Sequence, residues 1–306
     1  MKSFVPATDE VFTLHRNQGP AGKHFRLVSE KGHYSGNPID ATRQGIYALA
    51  PSGEFLASVN STNASDVERM LKQALKAWDD LPKDRRLMKE KPEEIKGRWE
   101  DRYPKDGMAL RVYSRDLPRD KKFGDWRDPA WNIDYAWFLK DEMTSWMPES
   151  TQKGAYREVP EALVRRLVRC HFVDNVRGQT NAFPDDAVKQ ASLKATIESV
   201  KGDRVTVRYE GPVELVHRGR WAADDSGEKD QERGYRGTIL GRGVWSLQGR
   251  QFVSLDIVSL GTRWGGTRYN FRNGDFDPAP MGYVIQLAPD TPTDRMVPAS
   301  IGDYGW

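Results

Sequence analysis

Cysteine is nearly absent: the chain of 306 residues has one, Cys170. A single thiol excludes an intrachain disulfide and any multi-cysteine metal site, and it leaves the redox compartment unread. Long apolar runs are missing too. No segment approaches the roughly 18 consecutive apolar residues of a spanning helix, and MKSFVPATDEVF has no run of signal-peptide length. As written the chain is expected in the cytoplasm; a signal peptide encoded ahead of Met1 would make it an exported protein. A charge excess is also lacking. The 47 basic residues nearly balance 44 acidic ones, for a net charge of +3, whereas dedicated nucleic-acid binders carry a clear basic surplus. There is no H-E-x-x-H, no G-x-S-x-G and no Walker A loop, and RGYRGTILGRG matches neither a Walker A nor a dinucleotide fingerprint. Of the five histidines, only His24 and His33 lie close together, in KHFRLVSEKGH, the one pair a weak metal site would use. Neither a metal nor a cofactor is expected.

What is present is a polar, globular composition, 38% hydrophobic and 30% charged. Its length allows two domains with cores, or one with large insertions. The best-patterned piece is TRQGIYALAPSGEFLASVNSTNASDVERMLKQALKAW, from Thr42 to Trp78. Ile46, Ala48 and Ala50 alternate with Tyr47 and Leu49 as a strand. Pro51-Ser52-Gly53-Glu54 supplies turn chemistry, and Phe55 to Val59 returns as the second strand of an antiparallel hairpin. Ser65 and Glu68 have the spacing of a capping box. Val67, Met70, Leu71, Ala74, Leu75 and Trp78 then form one apolar helical stripe, with Lys72, Gln73 and Lys76 facing water, and Leu81-Pro82 closes the helix.

A hairpin with this P-x-G-E turn, followed by an amphipathic helix, resembles the second half of a thioredoxin-like domain, over roughly residues 1–81 of a segment bounded at 1–82. The resemblance implies that Phe4-Val5-Pro6 is the strand ahead of the hairpin. The family's thiol chemistry is not carried over, because no Cys-x-x-Cys exists. The proline that such folds place before the hairpin is missing from Thr42-Arg43-Gln44-Gly45. Too little chain precedes Phe4 for the family's first strand and helix. Either the natural chain starts earlier, or a half-domain completes its sheet with another segment or subunit. Strand–strand–helix units of this kind also occur in many other α/β folds.

Residues 83–185 read as a charged, tryptophan-rich connector with helices. From Lys83 to Asp128 more than half of the residues are charged, Pro92, Pro104 and Pro118 interrupt them, and Met108–Tyr113 is the one strand expected there. Trp99, Trp126, Trp131, Trp137 and Trp146 are half of the ten tryptophans. Such residues line ligand grooves, or, more often, fill a core between segments poor in aliphatic side chains. Val159-Pro160-Glu161 opens a helix with Leu163, Val164, Leu167, Val168 and His171 on its inner stripe and Arg165, Arg166 and Arg169 outward. Cys170 and His171, being adjacent, point about 100° apart on a helix and are poorly placed as a thiolate–imidazole pair.

Near residue 193 the period changes to two. Strands are expected at Leu193–Ile197, Val205–Tyr209, Val213–His217, Tyr235–Leu240, Val244–Leu247, Gln251–Leu260 and Gly282–Leu287, with the charged loop AADDSGEKDQERG before Tyr235. This predicts an antiparallel β barrel or sandwich over 186–290, followed by an irregular tail, 291–306. The whole is therefore of the α+β class.

Two groups of residues are candidates for function. GTRWGGTRYNFRNGDFD interleaves Arg263, Arg268 and Arg272 with Trp264 and Tyr269, a combination that suits anionic planar ligands or a protein partner. His171, Asp174 and Arg177, with Cys170 nearby, are the candidates for a hydrolytic site between the domains. The first reading is a non-catalytic binding or accessory protein for a protein or anionic small-molecule partner, its front segment a redox-silent docking module. The second is a hydrolase using carboxylates and His171. A third is a homo-oligomer whose front half-domain pairs across subunits.

Overall fold

The computed structural model describes residues 3–8, 11–36, 43–89 and 98–306; Thr42 and Pro92 lie outside the described residues. The chain divides into two compact units, Met1–Lys96 and Gly97–Trp306.

In the first unit, helices α1 (Val11–Arg16) and α2 (Pro20–Lys31) precede strands β1 (Ile46–Leu49) and β2 (Phe55–Val59) and helix α3 (Ala64–Asp80). The expected hairpin forms, with Ile46 opposite Val59 and Ala48 opposite Ala57, and Gly53 in its turn takes φ +86°, a conformation glycine adopts without steric cost. Ala48 and Ala57 pack on Met70 and Ala74 of α3. Two expectations are corrected here. The cap of α3 is Asn63, whose side chain accepts from the Ser65 amide at 2.9 Å; Ser65 sits inside the first turn and no Ser65–Glu68 box forms. Asn63 wins because its extended backbone (φ −70°, ψ 126°) aims its amide oxygen at the orphan N–H groups. Phe4-Val5-Pro6 is not a strand, so the sheet of this unit has two strands. The His33 ring is held by the Ser58 hydroxyl at 2.8 Å and the Gln44 carbonyl at 3.0 Å. No cluster with His24 suited to a metal occurs among the described residues.

The second unit is built on one antiparallel sheet of nine strands. They are β3 (Met108–Asp116), β4 (Trp131–Phe138), β5 (Tyr156–Glu158), β6 (Val188–Ala191), β7 (Lys194–Lys201), β8 (Arg204–Trp221), β9 (Lys229–Ser246), β10 (Gln251–Trp264) and β11 (Ala279–Leu287). Their order is β4-β3-β11-β10-β9-β8-β7-β5, with β6 beside the second half of β8. Three strands, β3, β4 and β5, thus come from the stretch read as a connector, where only Met108–Tyr113 was expected: β3 pairs with β11 in register from Leu110–Leu287 to Asp116–Met281, β4 with β3, and β5 with β7. The sheet does not close into a barrel. Instead it curls around helix α5 (Glu161–His171), which follows the short helix α4 (Lys140–Thr144) and touches β4 at one margin and β6 and β8 near the other. Leu163, Val164, Leu167 and Val168 fill the hollow together with Val112, Ile197, Val207, Ile257 and Ile285. The apolar stripe of this amphipathic helix needs cover, and a helix seated in the hollow takes the room that closure would need.

The strands expected at Val205–Tyr209 and Val213–His217 are one, β8. It runs through Gly211-Pro212, where its partner changes from β7 to β6; the missing proline N–H falls at that change and breaks no ladder. A Cβ at Gly211 would meet the Ser192 carbonyl oxygen at 1.9 Å. The charged loop is shorter than expected, since β9 already begins at Lys229. Arg166 does not point outward. It is buried, forms two 2.7 Å hydrogen bonds to Glu142 and lies over the rings of Phe138, Tyr304 and Trp306. The tail has only two short 3₁₀ turns, yet it buries Ile301 and Tyr304. It covers the edge of β4: the Trp137 N–H donates to the Tyr304 hydroxyl at 3.3 Å, satisfying an amide that an edge strand would otherwise expose. Among the described residues no helix is long and apolar enough to cross a membrane.

Candidate functional site

The segment after α5, VDNVRGQT from Val173 to Thr180, leaves the core on two apolar anchors, Val173 and Val176. The polar residues between them are clamped by ions. Arg272 places its guanidinium on two carboxylates: Nε and Nη2 donate to Asp174 at 2.7 and 2.6 Å, and Nη1 and Nη2 donate to Asp116 at 2.7 and 2.8 Å. Arg177 donates to Asp116 at 2.7 Å and to Asp275 at 2.9 Å. Asp275 also receives Arg263 at 2.7 Å and both Nη groups of Arg119 at 2.7 and 2.6 Å. Four arginines thus share three aspartates, the pairing that makes buried charge tolerable. Burial opposes ionisation of Asp275, but the Arg119 hydrogen bonds and the fields of Arg263, Arg119 and Arg177 prevail and hold its carboxyl far below the usual range. Asp116 is likewise depressed: Arg272 outweighs the desolvation that would raise it. Arg263 is shifted down, first by burial and then by Arg272 beside it.

Arg233 is a buried cation held without a carboxylate contact in this group. It donates to Thr180 Oγ1 at 2.8 Å and to the carbonyl oxygens of Asn181 and Ala182, and it lies over the Phe183 ring at 4.3 Å. Burial lowers its pKa to about 10. It fastens the far end of the same segment.

His171 is 2% exposed. Its Nδ1 lies 2.8 Å from Asp134 Oδ2 and its Nε2 lies 2.6 Å from the Tyr304 hydroxyl. The second Asp134 oxygen accepts the Ala299 N–H at 3.0 Å. The Tyr304 oxygen already accepts from Trp137 N–H, so its own proton goes to Nε2 and the imidazole gives its Nδ1 proton to Asp134. Burial pushes the Tyr304 pKa well above its ordinary value, which keeps it a donor. Each group in the chain has its partner. Cys170 is fully buried, and burial pushes its thiol up to about 12, so the thiolate needed for nucleophilic chemistry is suppressed.

Beside Asp134 opens a cleft of about 580 Å³, within the range of small-molecule sites. Asn175, Gln179 and Thr180 of the clamped segment form one wall, and Asn132 and Asp134 of β4 another. Ser300 lies on the tail side. Trp126 and Trp131 stand at the rim, 55% and 57% exposed, and Trp126 meets Phe271 edge-on at 5.9 Å. The tryptophan-rich stretch therefore splits by role, since Trp137 and Trp146 are completely buried.

The residues singled out in the sequence are thus not one patch. Arg263 and Arg272 are 1% and 0% exposed and hold the segment from behind. Trp264 donates through Nε1 to Glu232 at 2.8 Å and covers Gly234. Arg268 and Tyr269 are exposed beside each other, with Arg268 3.4 Å from the still more exposed Asp225. Arg177 and Cys170 border the cleft, Asp174 faces Arg272, and His171 is sealed beneath. Asp116, Asp134, Asp275, Asn175 and Tyr304 were not signalled. One clue was available for the aspartates: arginines in an apolar, glycine-rich context demand acids, and NGDFD supplies one of them. Comparison with family models, with curated proteins and with solved structures finds no match to this chain.

Proposed function

We propose that this is a non-catalytic binding protein whose Gly97–Trp306 unit holds a polyhydroxylated, carbohydrate-type ligand in the cleft beneath Trp126 and Trp131. One observation carries this reading: two half-exposed indole rings stand over a cavity walled by side-chain amides and hydroxyls. Flat aromatic faces suit the apolar C–H faces of sugar rings, and amides and hydroxyls suit their hydroxyl groups. The ion cluster behind the cleft supports the same reading, because it fixes the wall in place before a ligand arrives, which lowers the entropy lost on binding. The α2-β1-β2-α3 order of the first unit is compatible with a redox-silent thioredoxin-like segment serving as a docking module.

The hydrolase reading draws on Asp134, which borders both the cleft and His171. Against it, both imidazole nitrogens are engaged and the ring is buried, so proton transfer to a ligand would require Tyr304 or Asp134 to leave. Calorimetry against a panel of neutral oligosaccharides tests the proposal. Trp126→Ala and Trp131→Ala should each weaken binding about tenfold, ~1.4 kcal/mol, with an unchanged melting temperature. Absence of binding across the panel, or binding indifferent to both indoles, refutes the proposal; chain-shortened products on chromatography would replace it with the hydrolase.

A further inference from the structure

A second recess, of about 250 Å³, lies between the end of β3 and the loop that follows it. Arg115, Arg119, Lys121, Lys122, Arg127 and Arg177 line it, against only Asp116 and Asp128. Asp116 is fully shared out, and Asp128 brings one negative charge near Lys122. Asp116 gives its oxygens to Arg272 and Arg177, and Asp128 accepts from the backbone N–H groups of Phe123 and Gly124 at 2.8–3.2 Å. Of the cations, Arg119 is neutralised by Asp275 and Arg127 by Asp125. Arg115 and Lys122 are exposed and form no salt bridge among the described residues. Lys121 approaches Asp275 only to 3.9 Å, an acid already shared by several arginines. Around the Phe123 ring, four of these side chains crowd together: Arg119, Lys121, Arg127 and Arg177 lie 5.6, 5.3, 4.0 and 4.8 Å from its centre.

Acids of this chain already supply counter-charge to Arg119, Arg127 and Arg177, but Arg115, Lys121 and Lys122 bring further cations to the same hollow, an excess that favours a bound anion. The ring screens little of it, since its negative face serves cations on either side only weakly. The walls are stiff on one side, because Arg119 and Arg177 are locked by Asp275. On the other side, Arg115 and Lys122 have their heads free to donate, and Lys121, whose Nζ gives one N–H to the Gly274 carbonyl at 2.5 Å, has two more. Guanidinium and ammonium groups converging on one hollow fit the oxygens of a tetrahedral or planar oxyanion.

We propose that this recess is an oxyanion-binding site, taking a phosphate, sulfate or carboxylate group through Arg115, Lys121 and Lys122. It stands on charge and geometry alone and does not depend on what the tryptophan cleft binds. The test uses the full chain and inorganic phosphate, titrated by calorimetry and by thermal shift at constant ionic strength made up with chloride. Saturable binding and a rising melting temperature are expected. Arg115→Ala combined with Lys122→Ala should reduce the affinity at least tenfold. The control pair Arg218→Ala and Arg220→Ala, whose side chains are 78% and 67% exposed on β8, removes the same net charge and should leave the affinity unchanged. An equal response to chloride, or equal weakening by the control pair, would show general screening and overturn the site. Retained binding in the Arg115/Lys122 variant would overturn it as well. Sulfate and acetate in place of phosphate then rank the oxyanion classes.

Discussion

Asp116, the last residue of β3, receives Nη1 and Nη2 of Arg272 at 2.7 and 2.8 Å, although 156 residues separate the two in sequence. The same carboxylate receives Arg177 at 2.7 Å, so one side chain ties the margin of the sheet, the segment after α5 and the loop after β10. Replacing it with asparagine leaves two buried guanidinium groups short of charge. Breaking a buried pair by removing one partner typically costs about 3–5 kcal/mol. Asp116→Asn should lower the unfolding free energy of the Gly97–Trp306 unit by that order in a denaturant titration. A loss of only a few tenths would show that the cluster is not what holds the segment.

Acid should act on the same cluster, with a definite sign. Asp116 and Asp275 both have carboxyls held below their ordinary range in the folded chain. The unfolded state therefore binds protons first as pH falls, and the stability these groups contribute is complete above about pH 4 and lost as pH drops through the folded values. Unfolding free energy measured from neutral pH down to about pH 2 should decline steeply at the acid end. Asp275→Asn should be less stable at neutral pH and should show a shallower acid slope. An unchanged slope in that variant would refute the assignment.

The Asp134–His171–Tyr304 chain is read here as structural. Tyr304→Phe removes the donor to His171 Nε2 and the acceptor of the Trp137 amide. Leaving buried polar groups without partners costs about 1–3 kcal/mol. The variant should melt earlier by that amount while saccharide affinity in the cleft stays the same. A catalytic chain would respond differently, with turnover falling far more than stability.

Cys170 offers a direct check on burial in α5. Its thiol is inaccessible and kept protonated by desolvation, and attack on disulfide reagents requires the thiolate. Labelling by an aromatic disulfide reagent at neutral pH should be negligible in the native protein and stoichiometric in denaturant. Rapid native labelling would mean that the helix is not enclosed as described.

Local pattern carried the secondary structure well and the tertiary arrangement poorly. The hairpin Ile46–Val59, the helix after Pro160 and most strands after residue 193 were legible because alternation, turn residues and apolar stripes are short-range signals. The placement of β3 and β4 in the sheet was not. Met108–Tyr113 was legible as a strand, but its charged surroundings resemble a linker, and only the pairing of Val112 with Ile285 joins it to the sheet, as that of Trp137 with Ala109 joins β4. A barrel or sandwich was expected from the number of short strands and their glycine turns, while the inserted helix that keeps the sheet open leaves no mark in the strands themselves. Of the arginines in GTRWGGTRYNFRNGDFD, Arg263 and Arg272 turn inward and only Arg268 stays exposed. Composition shows that a guanidinium needs an anion; it does not say whether that anion is Asp275 or a ligand. The cleft walls come from residues 126–134, 175–180 and 300, a juxtaposition that no local spacing encodes.

Gly265 and Gly274 separate two effects that glycine substitutions usually mix. Both have positive φ, +70° and +71°, so alanine at either position meets the left-handed penalty, roughly 1–2 kcal/mol. Around Gly274 nothing lies within 4 Å of an added Cβ, whereas at Gly265 that atom would sit 2.0 Å from the Glu232 carbonyl oxygen and 2.8 Å from the Arg233 Cα. Gly265 follows β10 directly and its N–H donates to the Phe276 carbonyl at 2.7 Å. Relief of the clash would therefore push β9 away from β10, loosen the Trp264–Glu232 bond and shift Arg263 off Asp275. Gly274→Ala should cost no more than the backbone penalty, about 1–2 kcal/mol. Gly265→Ala should add an overpacking cost of about 1–3 kcal/mol and weaken protection of the β9–β10 amides in hydrogen exchange. If the two variants unfold at the same denaturant concentration, the close approach of β9 to this turn is not a constraint on the fold.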